Sequence, residues 1–325
     1  MSELRVLTPG LLTTVQDLGR WGFQSSGVSV AGPMDAYAHR LANALVGNAA
    51  GDATLEVTLI GPELECDDER VIAMTGGEFE ISVDERPVQM YTPLVVRPRS
   101  RVTCGRRLRG ARAYLAVAGG IDVPMVFGSR ATHLSSGLGG FEGRALRAGD
   151  RVPLGPPHGP AVTAGEESQV RAHHPIPARL RAVLPNGQTR LRILPGPHQD
   201  FFAADALEAL QRMPYRIDPR SDRMGFRLEG VPVGRAGEAE MISDATPMGA
   251  IQIPPSGQPV LLMADRQTTG GYPTIATVIT ADLGLAGQLA PGESIAFTIC
   301  SPTEAMAALI AAERRILAVA RPESA

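Results

Sequence analysis

The chain contains no lysine; all 31 of its basic residues are arginine. That absence excludes a Schiff-base lysine, the lysine of a P-loop, and biotinylation, which attaches biotin through a lysine amine. Biotin would have to arrive on another polypeptide, and a phosphate would be met by arginine, backbone amides or a metal. Cysteine is scarce. Cys66, Cys104 and Cys300 are odd in number and far apart, which fits neither a disulfide framework nor a metal knuckle and predicts reduced, mostly buried thiols. No uninterrupted apolar run approaches the ~18 residues of a membrane span. Met1-Ser2-Glu3-Leu4-Arg5 leads into a strand-like segment rather than a signal peptide, so the expected compartment is the cytoplasm. The six histidines offer no ligand set beyond His173-His174, whose side chains point apart if extended, so no metal site is expected. A Gly-x-Ser-x-Gly elbow is missing, and neither Ser129 nor Ser135 has an identifiable base partner, which argues against a serine hydrolase. Cys104 is a poor nucleophile, because Val102-Thr103-Cys104 alternates as a strand does. A net charge of −3 leaves no electrostatic footprint for nucleic acid, and the arginines between Arg97 and Arg112 read as a solvated strand face.

What is present is a chain of 325 residues with 44% apolar content, enough for two ordinary domains with cores. Three helices are predicted, over 35–46, 200–213 and 305–318. The first ends at Gly47-Asn48 and the second at Pro214, and the third follows Pro302-Thr303-Glu304. Elsewhere short β-rich runs are cut by Gly and Pro, as in 70–74, 78–83, 94–96, 114–117 and 295–299. The pattern predicts a mainly β (α+β) protein of barrels or sandwiches and argues against a Rossmann sheet. Residues 153–185, with Pro156-Pro157-His158-Gly159-Pro160 inside, read as a linker or long excursion between domains at 1–152 and 186–325. A weak internal repeat runs across it. Arg5-Val6-Leu7-Thr8-Pro9-Gly10 matches Arg192-Ile193-Leu194-Pro195-Gly196, Ile72-Ala73-Met74-Thr75-Gly76-Gly77 matches Leu262-Met263-Ala264 with Thr269-Gly270-Gly271, and Leu146 to Asp150 matches Leu289 to Glu293.

The densest chemistry lies in Asp265-Arg266-Gln267-Thr268-Thr269-Gly270-Gly271-Tyr272-Pro273, which follows the apolar run Val260 to Ala264 and is expected to begin where a buried strand emerges. Gly270-Gly271 would allow close approach of a ligand or positive φ in a turn. A second cluster, Ser221-Asp222-Arg223-Met224-Gly225-Phe226-Arg227-Leu228, repeats the Asp-Arg pairing. An arginine fork holds a carboxylate or phosphate through two parallel hydrogen bonds, and an aspartate beside it stays ionised as a base or ligand. Asp265, Arg266, Asp222 and Arg223 are therefore the catalytic candidates; equally, each Asp-Arg could be a local ion pair fixing a turn. Gln267 and Thr268 would meet a planar amide or lactam, Thr269, Gly270 and Gly271 would line its site, and Tyr272 would form a lid or wall. Gln16, Asp17 and Arg20, further candidates for substrate binding, make a third polar group beside a Gly-rich loop leading to Asp35. There Asp35 is either at an anion site or a first-turn acid complementing the helix dipole. Gly137-Leu138-Gly139-Gly140, with Gly128-Ser129-Arg130, is a flexible loop that makes a weak phosphate cradle.

These segments, with Ala31-Gly32-Pro33-Met34-Asp35, Leu41 to Asn48, Ala118-Gly119-Gly120-Ile121 and Gly249-Ala250-Ile251-Gln252-Ile253-Pro254, resemble the allophanate hydrolase subunit 2 family in order from about Val6 to about Ala305. The resemblance implies two related cyclophilin-like β-barrel domains and adds Gln252 to the substrate-binding candidates. It implies three activities. The first is that of the C subunit of an ATP-dependent 5-oxoprolinase, a lactam hydrolase active only in complex with its A and B subunits, ATP entering with magnesium and no biotin on this chain. The second is a carboxyltransferase moving CO2 from carboxybiotin to urea or a related amide. The third is a KipA-type regulator that binds a kinase-inhibitor protein. The family pattern places a basic residue after Gly271-Tyr272-Pro273; here Thr274 stands there.

Overall fold

The computed structural model describes residues 2–157, 175–236 and 241–320. His158, His173, His174 and most of the 153–185 stretch lie outside the described residues. The chain forms two compact units, one of Met1–Arg20, Ala31–Leu184 and Glu313–Ala325, the other of Trp21–Val30 and Pro185–Ala312.

The first unit is built on an antiparallel nine-stranded sheet. Its main path runs Leu12–Gln16, Thr54–Thr58, Arg101–Val117, Glu63–Cys66, Glu3–Thr8, Arg151–Pro153. Runs 70–74 and 78–83 are one 14-residue strand, Arg70–Val83, because register shifts between Gly76 and Ile81 absorb the glycines as irregularities in the ladder. Directly paired residues share a sheet face. Val15, Leu55, Leu115 and Met74 thus form an apolar row in the core. The next row on the opposite face, Thr14, Glu56, Tyr114 and Thr75, is polar yet buried.

Helix α1 (Ala36–Leu45) packs on that polar face. Asp35 is its N-cap, accepting a 2.9 Å bond from the Ala38 N–H, one position before the first turn in which the sequence places it. The Asp35 N–H donates to the Tyr114 hydroxyl (2.8 Å), which donates to Glu56 (2.7 Å). His39 is wholly enclosed; burial lowers its pKa to about 4, so it is neutral. Gly47, at φ +75°, ends the helix as its sequence suggested.

The second unit is a closed barrel of seven strands. Around it run Thr189–Pro195, Thr274–Val278, Ala250–Gln252, Val260–Leu262, Gly225–Glu229, Tyr215–Ile217 and Ser294–Ile299. A parallel pairing of the last strand with the first closes the ring; its other pairings are antiparallel. The predicted 200–213 helix is shorter. Gln199–Phe201 forms a separate 3-10 turn and Phe202 is extended, so α2 occupies only Ala206–Arg212. Helix α3 (Thr280–Gly287) was not foreseen, since Gly284 and Gly287 weaken its pattern. The last helix, α4 (Pro302–Ala320), starts with a capping box in which Ser301 and Glu304 bond each other's backbone N–H groups.

The third repeat match is visible as a shared turn. The Asp150 carboxylate accepts the Arg147 N–H (2.7 Å) and the Glu293 carboxylate the Ala290 N–H (3.1 Å). Gly149 and Gly292 supply φ of +90° and +87°.

Candidate functional site

The barrel strands alternate between core and exterior. Phe226, Leu261 and Ile251 are paired across three strands and face the core. The neighbouring row, Arg227, Val260 and Gln252, therefore faces the other way, as do Gly225 and Leu262. These outward residues floor a cleft of about 530 Å³, walled by Asp222, Met224, Gln267 and Tyr272 and bordered by Asp218, Arg220 and Glu229. The volume suits a small molecule.

The Asp265 motif begins in a turn directly after the strand Val260–Leu262, as its sequence implied. The two Asp-Arg dipeptides do not pair internally; they pair crosswise. Arg223 Nε donates to Asp265 Oδ2 (3.0 Å) and Nη2 to Oδ1 (2.9 Å), with both side chains buried. A backbone bond from Asp265 N to Arg223 O (2.8 Å) runs alongside. This two-pronged pair locks the turn that opens the motif to the bend before Gly225–Glu229. Arg266 is also buried. Its Nε donates to the Thr246 carbonyl (2.7 Å), and burial lowers its pKa from the ordinary arginine value. Asp222 is exposed, with Oδ1 accepting the Met224 N–H (2.8 Å) as a turn acid.

Downstream, Thr269–Gly270 pairs with Asp244–Ala245, and the Thr268 carbonyl accepts the Thr246 N–H (3.1 Å). Gly270 and Gly271 do not have positive φ, which contradicts the positive-φ turn reading of this pair. A Cβ on Gly270 would lie 2.8 Å from Gln252 Nε2 and 3.3 Å from Gln267 Nε2, so its bare backbone makes room for two amides to converge. Gln252 Nε2 also donates to the Tyr272 carbonyl (3.2 Å). The side chains of Gln267, Tyr272 and Arg227 make no hydrogen bond or ion pair among the described residues.

The exit of the motif is fastened by His198, whose Nδ1 accepts the Thr274 N–H (3.0 Å). An acceptor Nδ1 leaves the proton of neutral imidazole on Nε2, which faces Asp244 Oδ2 at 3.5 Å. At the cleft border Arg220 donates to Asp218 through its backbone N–H (2.7 Å) and its guanidinium. Those bonds hold the Asp218 carboxyl well below the usual carboxylate range.

Gln16, Asp17 and Arg20 belong to the first unit and are buried in its own bonding. Gln16 Nε2 donates to the Thr132 carbonyl (3.1 Å); Asp17 accepts from Ser129 Oγ (2.6 Å) and Gly19 N (2.9 Å); Arg20 donates to the Ala131 carbonyl. Gly139 and Gly140 pack against Ala131, Arg20 and Thr132, so protein atoms fill that glycine loop. Among the described residues no three His, Cys, Asp or Glu side chains gather as a metal set.

Sequence reasoning missed Arg227, the Asp218–Arg220 pair and His198. The alternation Gly225-Phe226-Arg227-Leu228 carried the signal for the first, since an arginine between two core residues of a strand must point outward.

The model of the carboxyltransferase domain, subdomains A and B, matches residues 26–299. The chain is 40% identical over 305 residues to the 5-oxoprolinase C subunit of Escherichia coli, covering 94% of each. It is 33% identical over 308 residues to the urea amidolyase of Saccharomyces cerevisiae, covering 91% of this chain and 16% of that protein. The crystal structure of the K. lactis urea amidolyase superposes with a TM-score of 0.89 at 31% identity, over 98% of this chain and 20% of that one. That of TTHA0988 does so at 0.76 and 36%, over 92% and 55%. On this likeness of sequence and fold, the chain belongs to the family of the carboxyltransferase domain, subdomains A and B.

Proposed function

We propose that this chain serves as the C subunit of a 5-oxoprolinase, opening 5-oxoproline to glutamate at the expense of ATP together with the A and B subunits. The observation that carries the reading is the convergence of Gln252 and Gln267 at Gly270, beside Tyr272, on the wall of a small-molecule cleft. A lactam presents one N–H and one carbonyl in a plane, and a carboxamide can donate to one and accept from the other. Near-equal coverage with the E. coli protein supports the same assignment.

An unstrained lactam is a poor electrophile, so the coupling to ATP has a chemical purpose. In the proposed route the γ-phosphoryl group is transferred to the lactam oxygen, and water adds at the activated carbon. The C–N bond then breaks, with the electron pair and a proton going to nitrogen. A second water hydrolyses the resulting acyl phosphate to glutamate and phosphate. The amides of Gln252 and Gln267 orient the ring, and Tyr272 shields it from bulk water. Asp265, Arg223 and Arg266 act as the frame that holds this wall. Nucleotide and its magnesium belong in this reading to the assembled complex.

The urea amidolyase superposition favours a second reading, transfer of CO2 from carboxybiotin borne by another chain to a planar amide in the same cleft. The test is steady-state kinetics of the reconstituted complex with Gln252→Leu and Gln267→Ala. KM for 5-oxoproline should rise about tenfold or more per lost hydrogen bond. Wild-type kcat/KM in both variants would remove the cleft from the reaction.

A further inference from the structure

We propose that Arg227 is the anchor for a free carboxylate on the substrate, so that the cleft selects anionic cyclic amides over neutral ones. The inference rests on the lactam reading above and adds the charge of the compound that enters.

Arg227, Val260 and Gln252 sit side by side on three consecutive strands with their side chains on one face. Strands lie about 4.8 Å apart, so the backbones of Arg227 and Gln252 are about 10 Å apart with Val260 between them. Arginine from one side and glutamine from the other thus bracket a gap of one small ring, with Val260 and Leu262 as an apolar floor for its methylenes. A ring with an amide at one edge and a carboxylate at the other matches that spacing.

The charges on the cleft leave Arg227 for the ligand. Arg223 is held by Asp265, Arg266 by backbone carbonyls and Arg220 by Asp218. Arg227 has no such partner among the described residues. Three carboxylates share the cleft. Asp218 is bonded by Arg220, Asp222 is turned into its own loop, and Glu229 lies beside the Asp218–Arg220 pair. None of them bonds the Arg227 guanidinium, whose planar fork suits a carboxylate.

The experiment compares 5-oxoproline with its neutral analogue 2-pyrrolidinone, in wild type, Arg227→Gln and Arg227→Lys. The full chain is titrated with each compound by NMR, and the reconstituted complex is assayed for ring opening. Arg227 is exposed and only its backbone bonds within the barrel, so the variants should fold; matching melting curves check this. The expected result is loss of about 10- to 100-fold in affinity and a matching rise in KM for 5-oxoproline in Arg227→Gln, with kcat little changed. Arg227→Lys should recover part of it, and weak 2-pyrrolidinone binding should not move. Equal wild-type affinity for both compounds, or unchanged 5-oxoproline binding in Arg227→Gln, would overturn the inference. Selective, Arg227-dependent binding without turnover by an intact complex would sustain the inference and sink the oxoprolinase reading.

Discussion

Asp265 and Arg223 form a buried, two-pronged ion pair, and removing one partner leaves the other charge enclosed without compensation. Such a loss costs about 3–5 kcal/mol, whereas replacing both partners by apolar residues of similar volume is often close to neutral. Arg223→Met and Asp265→Leu should therefore each destabilise the barrel unit by about 3–5 kcal/mol, and the double variant by far less than their sum. At about 2–4 °C per kcal/mol for a unit of this size, each single variant should melt roughly 6–20 °C lower. Calorimetry gives the melting points, and urea unfolding of the four proteins closes the double-mutant cycle. The isosteric Asp265→Asn separates frame from chemistry. A frame role predicts that its activity follows its melting curve, with activity returning in the apolar double variant at temperatures where it is folded. A full melting temperature in Asp265→Asn together with lost turnover would refute the frame argument and make the carboxylate a chemical participant.

Gly270→Ala would set a methyl 2.8 Å from the tip of Gln252, a flexible side chain, and 3.0 Å from Thr246 Cγ2. The melting temperature should hold within a few degrees while KM for the substrate rises about tenfold, read by melting curves and kinetics in parallel. His39 is neutral and buried, with its pKa lowered to about 4. The unfolded chain takes up a proton near pH 6.5 and the folded chain only near pH 4, so the stabilisation is whole above pH 6.5 and declines as pH falls between them. The loss reaches about 3 kcal/mol, and His39→Gln should flatten that slope in urea unfolding measured from pH 7 to 4. Burial pushes the Cys66 and Cys104 thiols up to about 12, while Cys300 is partly accessible. A thiol reagent at pH 8 should modify Cys300 first in the native protein and all three after denaturation, counted by intact mass.

The sequence revealed the place where the motif leaves its strand, because Val260 to Ala264 is apolar and the polar run after it has no use in a core. It also revealed the mainly β character and the Asp35 helix, whose cap and terminal glycine are local signals. The crosswise Arg223–Asp265 pair was hidden by a separation of 42 residues, and the adjacent Asp-Arg dipeptides offered a nearer and incorrect pairing. Helix α3 was hidden for a different reason: two glycines lower its propensity, and contacts in the folded unit supply what the local sequence does not. His198 carries no local signature, since its partners Thr274 and Asp244 meet it only once the barrel closes.

Glutamate release from 5-oxoproline is measured with this chain assembled with the A and B subunits, with and without ATP and with each chain omitted in turn. A 5-oxoprolinase C subunit should give ATP-dependent glutamate that disappears when this chain is left out. A well-formed complex that yields none, or one that yields as much without this chain, would contradict that role.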